Sequence, residues 1–395
     1  MPRHPILSGP AGSLPGSVLA RLLACCPKGQ DIVPFHVGNT HLSPPLRARI
    51  EALAGSGDDA SLYHYAGPRG EPRLIDAVVA KLRRRNGLAE ASPENVQITC
   101  GATHALSLAL RAVLDPGDDL LVFAPFWPMI RGVASAVGVR TVEMSAPIDL
   151  RGRAREEIAE KVAERVEANL TPRTAAIYLS NPNNPDGHVY TEAELEGVAR
   201  AAAAHGLWIV SDEVYEAFTF DGRSHCSIAS LPAAAERTLT AFSFSKSYAQ
   251  AGLRVGYLVG PEPAIAAARD FTHHSVYNVP RAIQRAALAA LEDGDGFLAA
   301  AREGYQEARD LALSQIALDA RAPEGGTYLF VDLGEALRPG ERDTIAVLER
   351  LARAGVLLVP GYAFGRDYAR FARLCFSAVE PAELAKGIER LNLAL

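Results

Sequence analysis

Between residues 70 and 275, short apolar runs alternate with longer amphipathic stretches. The runs Val96–Cys100, Leu120–Phe123, Arg140–Glu143, Ala175–Leu179, Leu207–Ser211, Thr238–Phe242 and Val255–Val259 predict strands. Arg73–Arg85, Ala105–Val113, Met129–Val137, Arg155–Ala168 and Glu192–His205 predict helices among them. Near-continuous apolar strands separated by helices predict a mainly parallel sheet covered on both faces. On such sheets a ligand sits beyond the carboxyl ends of the strands, so the chemistry is sought there.

From about residue 280 the texture changes. An Ala-rich helical stretch, Arg281–Leu313, precedes short strands at Tyr328–Asp332 and Arg373–Ser377, with helices over Asp343–Ala354 and Pro381–Leu393. Residues 1–45 are rich in Pro and Gly, hold one amphipathic piece at Val18–Ala24, and end at Pro44-Pro45 before a short helix, Leu46–Leu53. The expected fold is α/β. A large domain over residues 46–280 carries a mainly parallel seven-stranded sheet between helices, and a smaller α+β domain spans 281–395. The arm, 1–45, belongs with the smaller one.

The chain has 395 residues, enough for a large core, and a formal net charge of −6 with no long basic run, which argues against nucleic acid or an anionic membrane as its partner. Arg83-Arg84-Arg85 is the densest cluster and reads as the solvated end of a helix before Asn86-Gly87. Pro2, Pro5, Pro10 and Pro15 interrupt any leader-like apolar segment, and no run approaches the ~20 apolar residues that cross a bilayer. A cytoplasmic protein is expected. Its five cysteines lack Cys-x-x-Cys spacing and are odd in number, which favours free thiols over disulfides or a metal site.

Ser243-Phe244-Ser245-Lys246 follows a strand that reads as buried, and Arg254 comes eight residues later in Gly252-Leu253-Arg254-Val255-Gly256. An isolated lysine at a strand end is usually decorative. Here Ser243, Ser245 and Arg254 can all donate to an anion, and a lysine beside a phosphate cradle suggests pyridoxal phosphate, whose aldehyde a lysine amine captures as a Schiff base. Gly101-Ala102-Thr103 opens a helix after a strand and can receive phosphate. Trp127 can stack on a pyridine ring or simply pack in the core. Asn184, in Asn183-Asn184-Pro185-Asp186-Gly187, can donate to a phenolate oxygen, though the segment is also an ordinary turn. Asp212 puts a carboxylate at the end of the run Ile209-Val210-Ser211, where an unpaired charge is costly and a protonated pyridine nitrogen would satisfy it. Tyr215, three residues on, can reach the phenolate; Glu213 has no such assignment.

Together these motifs resemble the class I/II aminotransferases of the fold-type-I pyridoxal-phosphate enzymes, and the resemblance runs from about Pro34 to the C-terminus. It implies that Lys246 is the Schiff-base lysine and the base that moves the substrate α-proton. It implies that Asp212 pairs with the ring nitrogen, and that Asn184 and Tyr215 donate to the phenolate. Ser243, Arg254 and the backbone of Gly101, Ala102 and Thr103 hold the phosphate, and Trp127 stacks on the ring. Arg373 takes the substrate α-carboxylate in a bidentate fork, and Gly38 and Asn184 lie beside the substrate. Tyr65, in Tyr63-His64-Tyr65-Ala66-Gly67, reaches the phosphate of a neighbouring subunit, which makes a homodimer with shared active sites.

This sequence departs from the family at several points. Asp186 stands where Thr is common, Asn39-Thr40-His41 replaces an acidic residue, and His104 and His273-His274 are unusual. Tyr277-Asn278 stands where a Ser often contacts the partner's phosphate. The expected reaction is transamination between an L-amino acid and a 2-oxo acid. Elimination, decarboxylation or oxidation on the same scaffold is the alternative, because cofactor motifs do not choose which bond breaks. A regulator that kept such a domain would need a DNA-binding module, and residues 1–45 are too short and too Pro/Gly-rich to hold one. An acidic substrate needs a second cation; Arg69, Arg281, His273 and His274 are available but unassigned. Phe35, Tyr63, Phe126 and Trp127 near the expected pocket mildly favour a neutral or aromatic side chain, and each could equally be core.

Overall fold

The computed structural model describes residue 12 and residues 19–29, 31–54, 59–145, 152–341 and 343–395. Pro2, Pro5, Pro10, Pro15 and Val18, read above as parts of the arm, lie outside the described residues. One sheet contains β1 (Val96–Thr99), β2 (Asp119–Ala124), β3 (Arg140–Ser145), β4 (Thr174–Ser180), β5 (Trp208–Asp212), β6 (Thr238–Ser243) and β7 (Gly256–Val259). Its order is β1-β7-β6-β5-β4-β2-β3; β7 runs against its two neighbours and the other pairs are parallel.

The period of two within each apolar run supplies both faces of this sheet. On β2, Leu120 and Val122 join a cluster with Ala105, Leu108 and Ile130, while Leu121 and Phe123 join another with Leu195 and Val198. Each fully buried side chain of this size contributes about 1.5–3 kcal/mol, so covering both faces outweighs the modest helix propensities of the flanking segments. A helix that the apolar pattern does not announce, Glu262–Ser275, packs on Ala102–Val113 through Ala264, Ile265 and Ala268. Its buried stripe is mostly alanine, too weakly apolar to stand out.

The Ala-rich stretch forms two helices, Arg281–Asp293 and Asp295–Gln315, parted at Gly294, where a side chain would collide with the Tyr248 ring and the Ala290 carbonyl. The first packs beside Leu46–Ala54 and Pro72–Arg85, placing Ala287 and Ala290 in one cluster with Leu74 and Val78. The second turns to Pro381–Ala394, placing Tyr305 and Ala308 with Leu384 and Ile388. That cluster also covers a four-stranded antiparallel sheet of β8 (Asp319–Ala320), β9 (Tyr328–Asp332), β10 (Val359–Pro360) and β11 (Phe371–Cys375), ordered β10-β11-β9-β8. The last strand begins two residues before the predicted Arg373, because pairing with β9 sets Arg373 opposite Phe330. The arm joins this body: the helix Ala20–Cys25 packs on Thr344–Arg353, Val33 bridges to Val356, and Phe35 is fully buried. Among the described residues no helix is long and apolar enough to cross a membrane.

Candidate active site

Lys246 is delivered by a single helical turn at the end of β6. Ser243 closes the strand, and its Oγ accepts from the Ser245 N–H at 3.1 Å, capping the turn Phe244–Ser247. The Lys246 Nζ donates to the Gly38 carbonyl and stands 5.9 Å from the centre of the Tyr215 ring. The lysine therefore bridges the arm and the end of the large sheet.

Asp212 ends the neighbouring strand and is buried. Burial pushes its carboxyl up to about 6, although the Val214 N–H at 3.4 Å and the Tyr178 hydroxyl at 3.2 Å both donate to it. Two weak donors do not repay removing a carboxylate from water. The site thus holds an acid with no ion-pair partner among the described residues, the Lys246 charge acting on it only from across the cavity.

Across the cavity the reversed β7 brings Arg254 back to the helix Ala102–Val113. Arg254 has left-handed backbone (φ +54°), and its Nη1 donates to the Ala251 carbonyl at 2.9 Å. Its guanidinium lies against Gly101 so closely that a Cβ there would stand 2.7 Å from Nη2. A Cβ on Gly256 would stand 2.6 Å from the Phe242 carbonyl oxygen and 3.1 Å from the Ala102 nitrogen. The two glycines therefore let an arginine approach the start of a helix, where backbone N–H groups have no partner within the helix. Thr103, Ser243 and Ser245 line the same pocket. This donor set suits a dianion such as phosphate.

Arg373, on β11, closes the opposite side. Its Nη1 donates to Asn184 Oδ1 and its Nη2 to the His36 carbonyl, each at 3.0 Å, while its buried Nε has no partner among the described residues. With Oδ1 occupied, the Asn184 amide is left to donate through Nδ2. The guanidinium carbon lies 4.2 Å from the centre of the Tyr328 ring and 5.3 Å from that of Phe364. The Tyr328 hydroxyl is 2.6 Å from that of Tyr215, with both rings buried.

These side chains enclose a cavity of about 260 Å³. It is lined by Gly38, Ala102, Thr103, Trp127, Asn184, Asp212, Tyr215, Ser243, Lys246, Arg254 and Arg373 of the residues singled out by sequence, with Gly101 behind Arg254. Tyr65 is not brought here: it is 79% exposed, and its ring centre lies 4.7 Å from that of Tyr277. Of the four aromatic residues weighed for the substrate side, Trp127 lines the cavity, Phe35 and Phe126 are core, and Tyr63 is exposed. Arg69 pairs with Glu94 and Arg281 with Glu71; neither these nor His273 and His274 line the cavity, whose cationic side chains among the described residues are Lys246, Arg254 and Arg373. Tyr178 and Tyr328 are site residues that sequence reasoning missed. A larger cavity, about 380 Å³, backs onto Ser243 and Ser247, but its Lys81, Arg85 and Arg223 are already paired with Glu216, Asp295 and Glu324.

A family model described as aminotransferase class I and II matches residues 30–391. A probable aspartate/prephenate aminotransferase of Thermus aquaticus is 35% identical over 387 residues, covering 96% of this chain and 95% of that one. An arginine–pyruvate transaminase of Pseudomonas aeruginosa is 37% identical over 362 residues, covering 90% and 88%. The structure of an aspartate aminotransferase from Thermus thermophilus with maleate superposes with a TM-score of 0.86 at 33% identity, covering 99% and 100%.

Proposed function

Because this chain belongs to the class I and II aminotransferases, we propose that it holds pyridoxal 5′-phosphate in the Lys246 cavity and takes L-amino acids with uncharged side chains as donors. The observation that carries the reading is the convergence on one cavity of an amine, a buried acid with no ion-pair partner among the described residues, and a dianion cradle. A phosphorylated pyridine aldehyde offers a partner to each: an aldehyde to Lys246, a ring N–H to Asp212, and a phosphate to Arg254, Thr103, Ser243 and the helix start. The Asn184 amide and Tyr215 hydroxyl supply donors for its phenolic oxygen.

When bound, the cofactor supplies an electron-withdrawing ring that makes the substrate Cα–H bond acidic. Asp212 keeps a proton on the ring nitrogen, since its own ionised form gains a cation by doing so. Arg373 forks the α-carboxylate, and its orientation is fixed beforehand by Asn184 and the His36 carbonyl. Lys246 Nζ, leaving the Gly38 carbonyl, takes the proton from the substrate α-carbon and carries it onward. The arm's contact with Lys246 places residues 36–38 where they can exclude water from that transfer.

Uncharged donors follow from the lining. Arg373 is committed to the α-carboxylate and Arg254 to phosphate, which leaves no cation among the described lining residues for a second carboxylate. A homodimer is part of this reading: Leu46, Ile50, Leu53, Tyr63 and Tyr65 are all more than half exposed, apolar surface that a second copy would cover. The packing of Arg281–Asp293 supports dividing the two bodies near Gly294 rather than at residue 280. The test is a panel of amino donors added to the cofactor-loaded protein, following loss of the lysine-bound cofactor absorbance. Neutral and aromatic donors discharge it fastest; rapid discharge by Asp or Glu alone overturns the substrate reading, and a Lys246→Ala protein that still transaminates overturns the role of Lys246.

A further inference from the structure

We infer that Tyr328 is a positioning residue that fixes the direction of the Tyr215 proton. The inference rests on the cofactor reading above. Tyr328 opens β9 in the smaller sheet, 113 residues from Tyr215, yet their hydroxyl oxygens are 2.6 Å apart and their rings meet edge-on at 5.7 Å. Both phenols are about 2% exposed.

Each phenol has one proton to give. In a hydrogen-bonded pair, one oxygen donates and the other accepts. If Tyr215 donates to Tyr328, nothing remains to point at a phenolic oxygen in the cavity. If Tyr328 donates to Tyr215, the Tyr215 proton is free for that oxygen, and the chain of donors strengthens as each link polarises the next. The surroundings of Tyr328 favour the second arrangement. The Arg373 guanidinium, 4.2 Å from the Tyr328 ring centre, makes that phenol the better donor, and the pair is buried away from competing water. Tyr328 is also locked in place, because its hydroxyl occupies the space a side chain on Gly38 would need. Tyr328 thus ties together the substrate arginine, the arm and the cofactor-facing tyrosine.

The experiment compares the wild-type holoenzyme with Tyr328→Phe, which deletes one oxygen and keeps the ring under Arg373. The readout is the pH midpoint at which the absorbance of the lysine-bound cofactor changes. A donor to the phenolic oxygen makes that oxygen less basic and lowers the midpoint, so losing Tyr328's donation, which weakens the Tyr215 bond without removing it, raises the midpoint by about 0.2–0.3 unit, a fraction of one hydrogen bond. kcat falls about threefold to tenfold while KM for the amino donor stays within about twofold. Tyr328→Leu, which also removes the ring beneath Arg373, raises KM as well. In a Tyr215→Phe background, Tyr328→Phe leaves the midpoint where it is. An unmoved midpoint in the single variant, or an equal shift in both backgrounds, overturns the inference. A wild-type protein with no lysine-bound absorbance instead overturns the cofactor reading, and this inference with it.

Discussion

Asp212 opposes folding until something cationic meets it. Its carboxyl is raised from 3.8 to about 6 by burial, so the folded protein binds more protons than the unfolded chain between these values. By linkage, stability of the cofactor-free protein falls as pH rises from about 4 to about 6 and stays low above, a loss of about 2–3 kcal/mol. Asp212→Asn removes that charge. The cofactor-free variant is expected to melt a few degrees higher than wild type at pH 8, with the gap narrowing toward pH 4, while transamination falls about 100-fold or more. Thermal melts at the two pH values and a donor-discharge assay check both halves. Asp212 was legible in sequence because a charge ending an apolar run is locally anomalous. Tyr178 and Tyr328 were not: one sits inside a buried strand like any core aromatic, and the other gains its meaning from a partner in another sheet.

At the scale of elements, His188 joins the turn after β4 to the segment that leads into β9. Its Nε2 is 3.0 Å from Glu194, its Nδ1 is 3.3 Å from Glu324, and Glu324 also accepts from the Val189 N–H at 3.0 Å. Burial opposes charge on the imidazole, but the hydrogen bond to Glu194 and the nearby Glu324 carboxylate outweigh it and raise His188 to about 10. Burial opposes charge on Glu324 too, and the His188 contact and the Val189 N–H bond lower it to about 2. The histidine's share of stability is therefore present below 6.5 and lost as pH rises through about 10; that of Glu324 is present above 4.5 and lost as pH falls through about 2. His188→Gln leaves the buried Glu194 carboxylate facing a neutral group, while Glu324 keeps Arg223 and Arg321, and is expected to cost about 3 kcal/mol at pH 7, with a flatter melting profile than wild type between pH 8 and 10.5. Calorimetry across that range decides it. This tie joins residues far apart in sequence, which a local reading does not reveal. The same limit applies to two-residue strands such as β8 and β10, too short for a period, and to the break at Gly294, where an alanine-rich period runs on but the Tyr248 ring forbids a side chain. The strands of the large sheet were legible because burial on both faces writes nearly unbroken apolar runs.

At the scale of the whole molecule, the site as drawn within one chain leaves Tyr65 unused and exposed. If a second copy brings its Tyr65 to the cavity, two defective chains can repair each other. Lys246→Ala and Tyr65→Ala proteins, each with little activity alone, are expected to recover about one quarter of wild-type activity after being unfolded and refolded together, because mixed dimers contain one intact site. No recovery in mixtures shown by sedimentation to be dimeric would place Tyr65 outside the site. The reversed β7 has its own consequence for how this chain can vary. Ser243 and Gly256 face each other across the β6–β7 pair, so the segment from Phe244 to Val255 is pinned at both ends and acts as a ruler between Lys246 and Arg254. An insertion in an exposed loop can bulge into solvent; here it would slide the Lys246 amine against the Arg254 guanidinium. Within that segment substitutions keep the spacing of Lys246 and Arg254, whereas a change of length is expected to disable the enzyme.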